Sequence, residues 1–306
     1  MAVQYSKVLL MVVFAVFYTK VATQPMSLPN CQTKCGSVAI PFPFGITKDC
    51  SLDSKFIISC YNTSSTRNST TYEPFLANTN QRVLNISLNG ELRVAWPVAS
   101  HCYAESSMLV AQTSQDIIVT HFQVSPTRNK LIVVGYYIVG LLTTYDSDGR
   151  NYTTGCLTLC NTNDDIAVHE PCSCENSIPT GHVTTGVSYD SGSVVNNHIV
   201  EHDFRSCGYA FVVEYGAYNF NSTDLKLNNK EFPVLLDWAV GNQTCQQAQK
   251  DLSTYACKAD KSTCYDATTD RSGYLCRCSH GYRGNPYLVH GCQGIIYFLR
   301  HLYDSS

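Results

Sequence analysis

Short apolar runs separated by polar residues dominate the chain. The gaps between them are rich in Asn, Ser, Thr, Gly and Pro, and no long run of 3.6-residue periodicity appears. Strands of ordinary length bounded by turn residues give this pattern. We therefore predict a mostly β fold, with strands at Phe56–Ile58, Val83–Leu88, Leu92–Trp96, Ile117–Val124, Leu131–Leu142, Ala210–Val213 and Val234–Leu236.

The first 24 residues have the pattern of a secretory signal peptide. Lys7 gives a basic flank, Val8–Tyr18 an apolar centre, and Val21–Thr23 a region of small residues suited to cleavage. An uncleaved anchor is the competing interpretation, but the apolar run is short for a spanning helix and Lys20 follows it closely. We predict export with cleavage, which leaves roughly 280 residues, enough for two or three domains.

The cysteine content fits an exported protein. The chain has 16 cysteines, all after the leader, and an even number in an oxidising compartment implies up to eight disulfides. Zinc is the alternative for Cys172/Cys174 and Cys276/Cys278, but structural zinc sites space paired ligands by two to four residues. We expect disulfides, no metal and no cofactor. The cysteines are Cys31, Cys35, Cys50, Cys60, Cys102, Cys156, Cys160, Cys172, Cys174, Cys207, Cys245, Cys257, Cys264, Cys276, Cys278 and Cys292.

Six asparagines after the leader are followed two positions later by Ser or Thr with no intervening proline. This is the acceptor pattern for N-linked glycans. Six such sites in an exported chain predict a glycosylated surface, with the asparagines in exposed loops or turns. They are Asn62, Asn68, Asn85, Asn151, Asn221 and Asn242.

The segment Cys31–Gly45 combines two close cysteines with a Pro-Phe-Pro-Phe-Gly run. It cannot form an uninterrupted helix, because each proline fixes φ and lacks an amide donor. We interpret it as a disulfide-anchored loop that leads into an extended segment. Phe42 and Phe44 would fill a β core and Gly45 would make the turn.

As a motif, this segment resembles the opening of the galacturonan-binding domain of plant wall-associated receptor kinases. The strings Phe122–Gly135 and Gly155–Cys160 continue the resemblance, although Tyr136 stands where a cysteine is expected and the later cluster is reduced to Cys172–Cys174. These two departures together would delete one disulfide. The resemblance implies a galacturonan-binding-like domain over residues 29–174.

Residues 175–244 resemble the C-terminal region specific to the same receptor kinases. This region contains Cys207–Val212 and Phe232–Ala239. Trp238 could form a sugar-stacking platform, but apolar neighbours at Val234–Leu236 and Val240 favour a place in the core.

Residues 245–292 contain six cysteines with the spacing of an epidermal-growth-factor-like (EGF-like) module, including a Gly281–Gly284 turn before the last. The resemblance implies the pairs Cys245–Cys264, Cys257–Cys276 and Cys278–Cys292. Such a small module depends on its bridges. Its first cysteine lacks the acidic residues of calcium-binding versions, and hard cations need several oxygen ligands, so we predict no calcium.

An enzymatic function has one lead in the sequence. His198, Glu201 and His202 match the H-x-x-E-H pattern of a zinc metalloprotease group. Val194–Val195 and Ile199–Val200 favour a strand instead of the helix that this motif needs, so we interpret the histidines as a solvated edge. No Gly-x-Ser-x-Gly elbow or phosphate-binding glycine loop occurs, and we predict that the protein is not an enzyme.

The charge distribution bears on an acidic polysaccharide ligand. The formal net charge is −3, and loss of Lys7 and Lys20 with the leader would leave 19 basic against 24 acidic residues, or −5. Between residues 31 and 135, eight basic residues outnumber six acidic ones, a net of +2. Guanidinium groups bind carboxylates in a bidentate manner. The candidate uronate contacts are Arg67, Arg82, Arg93 and Arg128, followed by Lys130 and Lys34.

These observations predict a secreted, disulfide-rich, mostly β, multidomain protein with a C-terminal EGF-like module. It would bind homogalacturonan in the plant cell wall without changing it, and we expect no nucleic-acid partner. The tail, residues 293–306, is too short to span a membrane, so membrane association would require the uncleaved leader or further sequence. Two alternatives stay open: a protein-interaction module that binds a peptide or another receptor ectodomain, and a secreted hydrolase.

Overall fold

The structure is a computed structural model that describes residues 25–63, 71–103, 109–113, 115–118, 122–135, 138–145, 151–157, 182–189, 207–220, 227, 229–267 and 273–294. It is mostly β, as predicted. The strands are β1 (Lys34–Cys35), β2 (Val38–Ala39), β3 (Ile58–Asn62), β4 (Tyr72–Leu76), β5 (Val83–Ser87), β6 (Glu91–Pro97), β7 (Ala99–Tyr103), β8 (Leu109–Thr113), β9 (Gln115–Ile118), β10 (Gln123–Val124), β11 (Asn129–Val134), β12 (Ile138–Tyr145), β13 (Asn151–Leu157), β14 (His182–Tyr189), β15 (Cys207–Glu214), β16 (Glu231–Asp237), β17 (Ser262–Asp266), β18 (Tyr274–Cys278), β19 (Tyr282–Gly284) and β20 (Cys292–Gly294). Among the described residues, the helical elements are α1 (Cys245–Ala248) and two 3-10 turns, Lys48–Cys50 and Ser54–Phe56.

Three four-stranded antiparallel sheets form the main body. The first sheet has the order β10-β16-β6-β5, the second β11-β15-β7-β8 and the third β13-β12-β14-β9. Four two-stranded ribbons complete the described fold: β1-β2, β3-β4, β17-β18 and β19-β20. Strands β15 and β16, from the second predicted region, lie between strands of the first region, so the two regions share sheets.

The apolar runs locate the strands well. The run Leu131–Leu142 is divided between β11 and β12. Along β11, Leu131 and Val133 belong to the main hydrophobic cluster, whereas Ile132 and Val134 belong to a second cluster on the other face. Because both faces of the strand are buried, its sequence is a continuous apolar run without polar alternation.

The main cluster joins the N-terminal loop, the sheets and the C-terminal residues in one core. Its fully buried members include Ile40, Leu92, Trp96, Val234 and Tyr287, each 0–1% exposed. Burying large apolar side chains is the main favourable contribution to folding. The C-terminal segment is thus packed on the body of the protein.

Before Cys245, disulfides join segments that the sequence alone does not pair. The bridges are Cys31–Cys50, Cys35–Cys60, Cys102–Cys207, Cys245–Cys264, Cys257–Cys276 and Cys278–Cys292. Cys156 is also disulfide-bonded, so every cysteine of the described residues is oxidised. The last three bridges are those implied by the resemblance to an EGF-like module, and oxidation excludes zinc thiolate ligation at Cys276 and Cys278.

Several predicted features lie outside the described residues, namely the leader, Tyr136, Cys160, Cys172, Cys174 and the H-x-x-E-H motif at His198, Glu201 and His202. Within the residues that the structure describes, no helix is long and apolar enough to cross a membrane. The same part of the chain contains no cluster of three or more potential metal ligands.

Candidate ligand-binding surface

The N-terminal loop is fixed to the core by its aromatic residues. Phe42 and Phe44 are 7% and 1% exposed, which confirms the core position predicted for both rings. The Phe44 ring makes edge contacts with Phe56 at 5.0 Å and with Trp238 at 5.3 Å between centroids. Trp238 is 3% exposed, so it is a core residue, as predicted, and is not available for stacking on a sugar.

Gly45 differs from the prediction. It forms a parallel bridge with Ile57 and does not make a turn. A Cβ atom at this position would lie 2.1 Å from the carbonyl oxygen of Cys50. The glycine is needed because two backbone segments approach closely here.

Asn285 joins the C-terminal segment to the N-terminal loop. Its side chain is fully buried, and its Nδ2 donates hydrogen bonds to the carbonyl oxygens of Phe42 at 2.6 Å and Met26 at 2.9 Å. Its Oδ1 accepts a hydrogen bond from the backbone N–H of Tyr287 at 3.0 Å. All of these groups are therefore satisfied, as buried polar groups require.

Two lysines near this loop are open to solvent or ligand, and one of them, Lys34, is a predicted uronate contact. Lys34, on β1, and Lys48, on the first 3-10 turn, are exposed. Across the described part of the chain, no carboxylate lies within ion-pair distance of either ammonium group. Both charges can therefore attract an anionic ligand.

The three candidate arginines that the structure describes, Arg82, Arg93 and Arg128, have carboxylate partners within the chain. Arg93 Nε lies 2.6 Å from Glu214 Oε2, and Arg128 Nη1 lies 2.5 Å from Glu91 Oε1. These two ion pairs connect the first sheet to the β11–β15 part of the second. A uronate that bound either guanidinium would have to compete with this partner.

Arg82 has two partners. Its Nη2 lies 2.8 Å from Glu231 Oε2, and its Nη1 lies 3.7 Å from Glu73 Oε1. This group of one guanidinium and two carboxylates has a formal charge of −1, so it offers hydrogen-bonding atoms without a net positive field.

A carboxylate beside these ion pairs has an altered pKa. Asp237 lies directly opposite Glu91 in the register of β16 and β6. The pKa of Asp237 is raised, mainly because burial removes the carboxylate from water. The nearby charge of Glu91 also raises this pKa, whereas a hydrogen bond with Ser125 and the charge of Arg128 lower it. This part of the surface is therefore not a strongly cationic patch.

The remaining predicted residues are dispersed. Lys130 is half-buried on β11, and Arg67 lies outside the described residues. Asn62, Asn85 and Asn242 are exposed, as expected for glycan acceptors, although Asn62 and Asn85 lie on strands and not in loops. The backbone of Asn151 lies on β13, and Asn68 and Asn221 are not described.

The C-terminal disulfide segment packs on the main body through aromatic rings. Val240 and Tyr274 form an antiparallel bridge, and the Tyr287 ring lies 6.0 Å from that of Trp238. Tyr287 is 1% exposed and accepts a hydrogen bond from the backbone N–H of Cys276, and its burial raises the pKa of the phenol. Its role is in the core.

An aromatic surface on the β3–β4 hairpin was not predicted from the sequence. Tyr61 is 57% exposed and its ring contacts that of Phe75, beside Arg82. Identifying it from the sequence would require the register of β3 and β4, because the surface combines residues of both strands.

Comparison with known proteins gives a consistent result. The family described as wall-associated receptor kinase galacturonan-binding matches residues 31–95. Wall-associated receptor kinases 3, 1 and 5 of Arabidopsis thaliana are 36%, 36% and 37% identical to the chain, over 94%, 87% and 95% of its length. The chain spans 39%, 34% and 38% of these relatives, respectively. No solved structure matches it.

Proposed function

Because this chain is related to the wall-associated receptor kinases and contains a match to their galacturonan-binding domain, we propose that it binds pectic polysaccharide outside the cell without changing it chemically. The observation that carries the proposal is the family match over residues 31–95, which contains the disulfide-anchored loop and both open lysines. Export through the leader, N-glycosylation and an EGF-like C-terminal module are parts of the same proposal.

The charges of the described residues support a particular mode of binding. Lys34 and Lys48 are exposed, whereas Arg82, Arg93 and Arg128 are paired with carboxylates. An exposed ammonium group attracts a uronate carboxylate without first breaking an internal ion pair. Each such contact is weak and screened by salt, but repeated uronates on one polymer add weak contacts into useful avidity.

The direct test measures retention of the purified, glycosylated chain on immobilised de-esterified homogalacturonan at low and physiological salt. We expect retention that decreases with salt, and little retention on a neutral glucan matrix. Salt-insensitive binding to another protein, with no retention on any pectin, would favour the protein-interaction alternative. Release of shortened oligosaccharides would favour the hydrolase.

Single substitutions test the contribution of the lysines. We expect Lys34→Gln and Lys48→Gln each to weaken binding by roughly 2- to 5-fold, the size of one exposed charge contact. Lys250→Gln is the matched control, because Lys250 is exposed but lies outside residues 31–95. Equal effects of the three substitutions would mean that only the total charge matters.

A further inference from the structure

The outward face of the β3–β4 hairpin presents an organised aromatic surface. Residue alternation places Tyr61, Glu73 and Phe75 on one face, where Tyr61 is directly opposite Glu73 in the register. The opposite face contains Ile58 and Leu76, which are 0% and 3% exposed. Because the Ile58–Leu76 end of that face is in the core and Tyr61 itself is exposed, the Tyr61 face points to solvent.

The exposed ring is held in position by a neighbour. Tyr61 is 57% exposed, and its centroid lies 5.8 Å from that of the half-buried Phe75, with a 48° angle between the planes. A contact of this kind restricts the tyrosine side chain before any ligand arrives, and a preorganised ring loses less entropy on binding.

Hydrogen-bonding groups lie beside the rings. Phe75 and Arg82 are bridge partners, so the guanidinium is next to the aromatic pair. Arg82 is held between Glu73 and Glu231, and its two contacts leave some of its five N–H donors available, while carboxylates accept several hydrogen bonds each. An aromatic face with donors and acceptors at its edge matches a pyranose ring, which has an apolar C–H face and hydroxyls around its rim.

The local charge restricts which pyranose fits. The two glutamates and one arginine have a formal charge of −1, which disfavours a free carboxylate next to them. Lys34 lies near this surface. It is the neighbour of Cys35 in sequence, and Cys35 forms a disulfide with Cys60, the neighbour of Tyr61. The Cα atoms of the two bridged cysteines are 5.9 Å apart. The Lys34 and Tyr61 Cα atoms are therefore at most about 13.5 Å apart.

From this arrangement we propose that the surface formed by Tyr61, Phe75 and Arg82 is a stacking subsite for an uncharged pyranose unit of a pectic chain, such as a methyl-esterified galacturonate. This inference rests on the proposed function and adds a preference to it. A partly esterified chain places an uncharged unit on Tyr61 and a free uronate near Lys34 at the same time.

The test compares retention of the full chain on partly methyl-esterified homogalacturonan, fully de-esterified homogalacturonan and neutral galactan. We expect Tyr61→Ala to weaken binding to the partly esterified polymer by roughly 2- to 10-fold, the size of a single aromatic contact, with less than about 2-fold change on the de-esterified polymer. Tyr61→Phe keeps the ring and should bind as the unaltered chain does. Tyr61→Leu keeps an apolar contact with Phe75 but lacks the ring face, and should bind as weakly as Tyr61→Ala, even if the alanine variant is destabilised.

Tyr215→Ala is the matched control, because Tyr215 is 46% exposed and lies after β15, outside residues 31–95.

The three polymers distinguish the possible ligands of the subsite. If retention on galactan depends on Tyr61, the subsite binds a neutral sugar. If retention depends on Tyr61 only with the partly esterified polymer, the subsite binds the methyl-esterified galacturonate. Unchanged retention of Tyr61→Ala and Tyr61→Leu on all three polymers would overturn the subsite and leave the proposed function intact. An equal loss on the de-esterified polymer would overturn the preference for an uncharged unit, and no retention of the unaltered chain on any pectin would reject the proposed function itself.

Discussion

At the scale of single residues, two aspartates are affected by their surroundings in opposite directions. The pKa of Asp237 is raised above its ordinary 3.8, mainly because burial removes the carboxylate from water. The pKa of Asp251 is lowered, first by hydrogen bonds from the side chains of Ser253 and Thr254. By linkage, Asp237 contributes stability that is lost as pH rises through its folded pKa, whereas Asp251 contributes stability that is lost as pH falls below 3.8.

We therefore predict that Asp237→Asn stabilises the protein more at about pH 7 than at about pH 4. The amide is neutral at both values, keeps a hydrogen-bonding oxygen for Ser125 and does not repel Glu91. Denaturant unfolding of the disulfide-intact protein at both pH values measures the difference. Asp251→Asn is the control, and it should lower the unfolding free energy by a similar amount at both values. A pH-independent effect of Asp237→Asn would contradict the assigned desolvation.

Sequence reasoning succeeded for residues whose environment is set by near neighbours. Trp238 and Phe44 were predicted in the core from flanking apolar and proline residues, and both are buried. The partner of Arg93 was not predictable, because Glu214 is 121 residues away in sequence and reaches it only through the packing of β15 near β6. Charge counts along a segment cannot reveal such compensation.

At the scale of elements, the strand positions followed from apolar runs, but the sheet order did not. Strand β16 pairs with both β6 and β10, and β15 pairs with β11 and β7. These partners are distant in sequence and their apolar residues are interchangeable, so a pattern of runs does not specify which strands pair. The surface on β3 and β4 was missed for a related reason, since it requires the register of both strands.

The attachment of the C-terminal segment to the N-terminal loop depends on Asn285. We predict that Asn285→Ala lowers the free energy of unfolding by about 1–3 kcal/mol, because the Phe42 carbonyl would lose its buried side-chain donor and the Met26 carbonyl would lose one of its two donors. Hydrogen exchange should also become faster at the Phe42 amide, which donates to the Met26 carbonyl at 2.8 Å. Asn89→Ala, at an exposed position, is the control and should have little effect. Unchanged exchange at Phe42 in the Asn285 variant would show that the loop is held by its other contacts alone.

At the scale of the whole molecule, one hydrophobic cluster extends from Cys35 to Leu288. The N-terminal loop, the hairpin β3–β4 and the C-terminal disulfide segment are thus parts of one packed body in the described structure. The binding surfaces that we propose lie on this body and are not on flexible linkers. Rigid elements position side chains more accurately than loops do.

The distribution of charge over the molecule leads to the last prediction. If the open lysines attract uronates and the paired arginines hold the sheets together, substitution of the lysines should weaken retention, and substitution of the arginines should lower stability. We expect the double variant Arg93→Gln, Arg128→Gln to lower the unfolding free energy by about 0.5–2 kcal/mol, because it breaks two partly exposed ion pairs between sheets. Its retention on de-esterified homogalacturonan should stay close to that of the unaltered chain.

The double variant Lys34→Gln, Lys48→Gln should show the opposite behaviour, with nearly unchanged stability and weaker retention, since neither lysine has a carboxylate partner among the described residues. Both double variants remove two positive charges, so they alter the net charge equally and differ in where the charge is lost and in whether ion pairs are broken. Retention and unfolding are measured on the same preparations. If the arginine variant loses as much retention as the lysine variant at matched stability, uronates must displace Glu214 and Glu91 from their guanidinium partners, and the ion pairs would be part of the binding site.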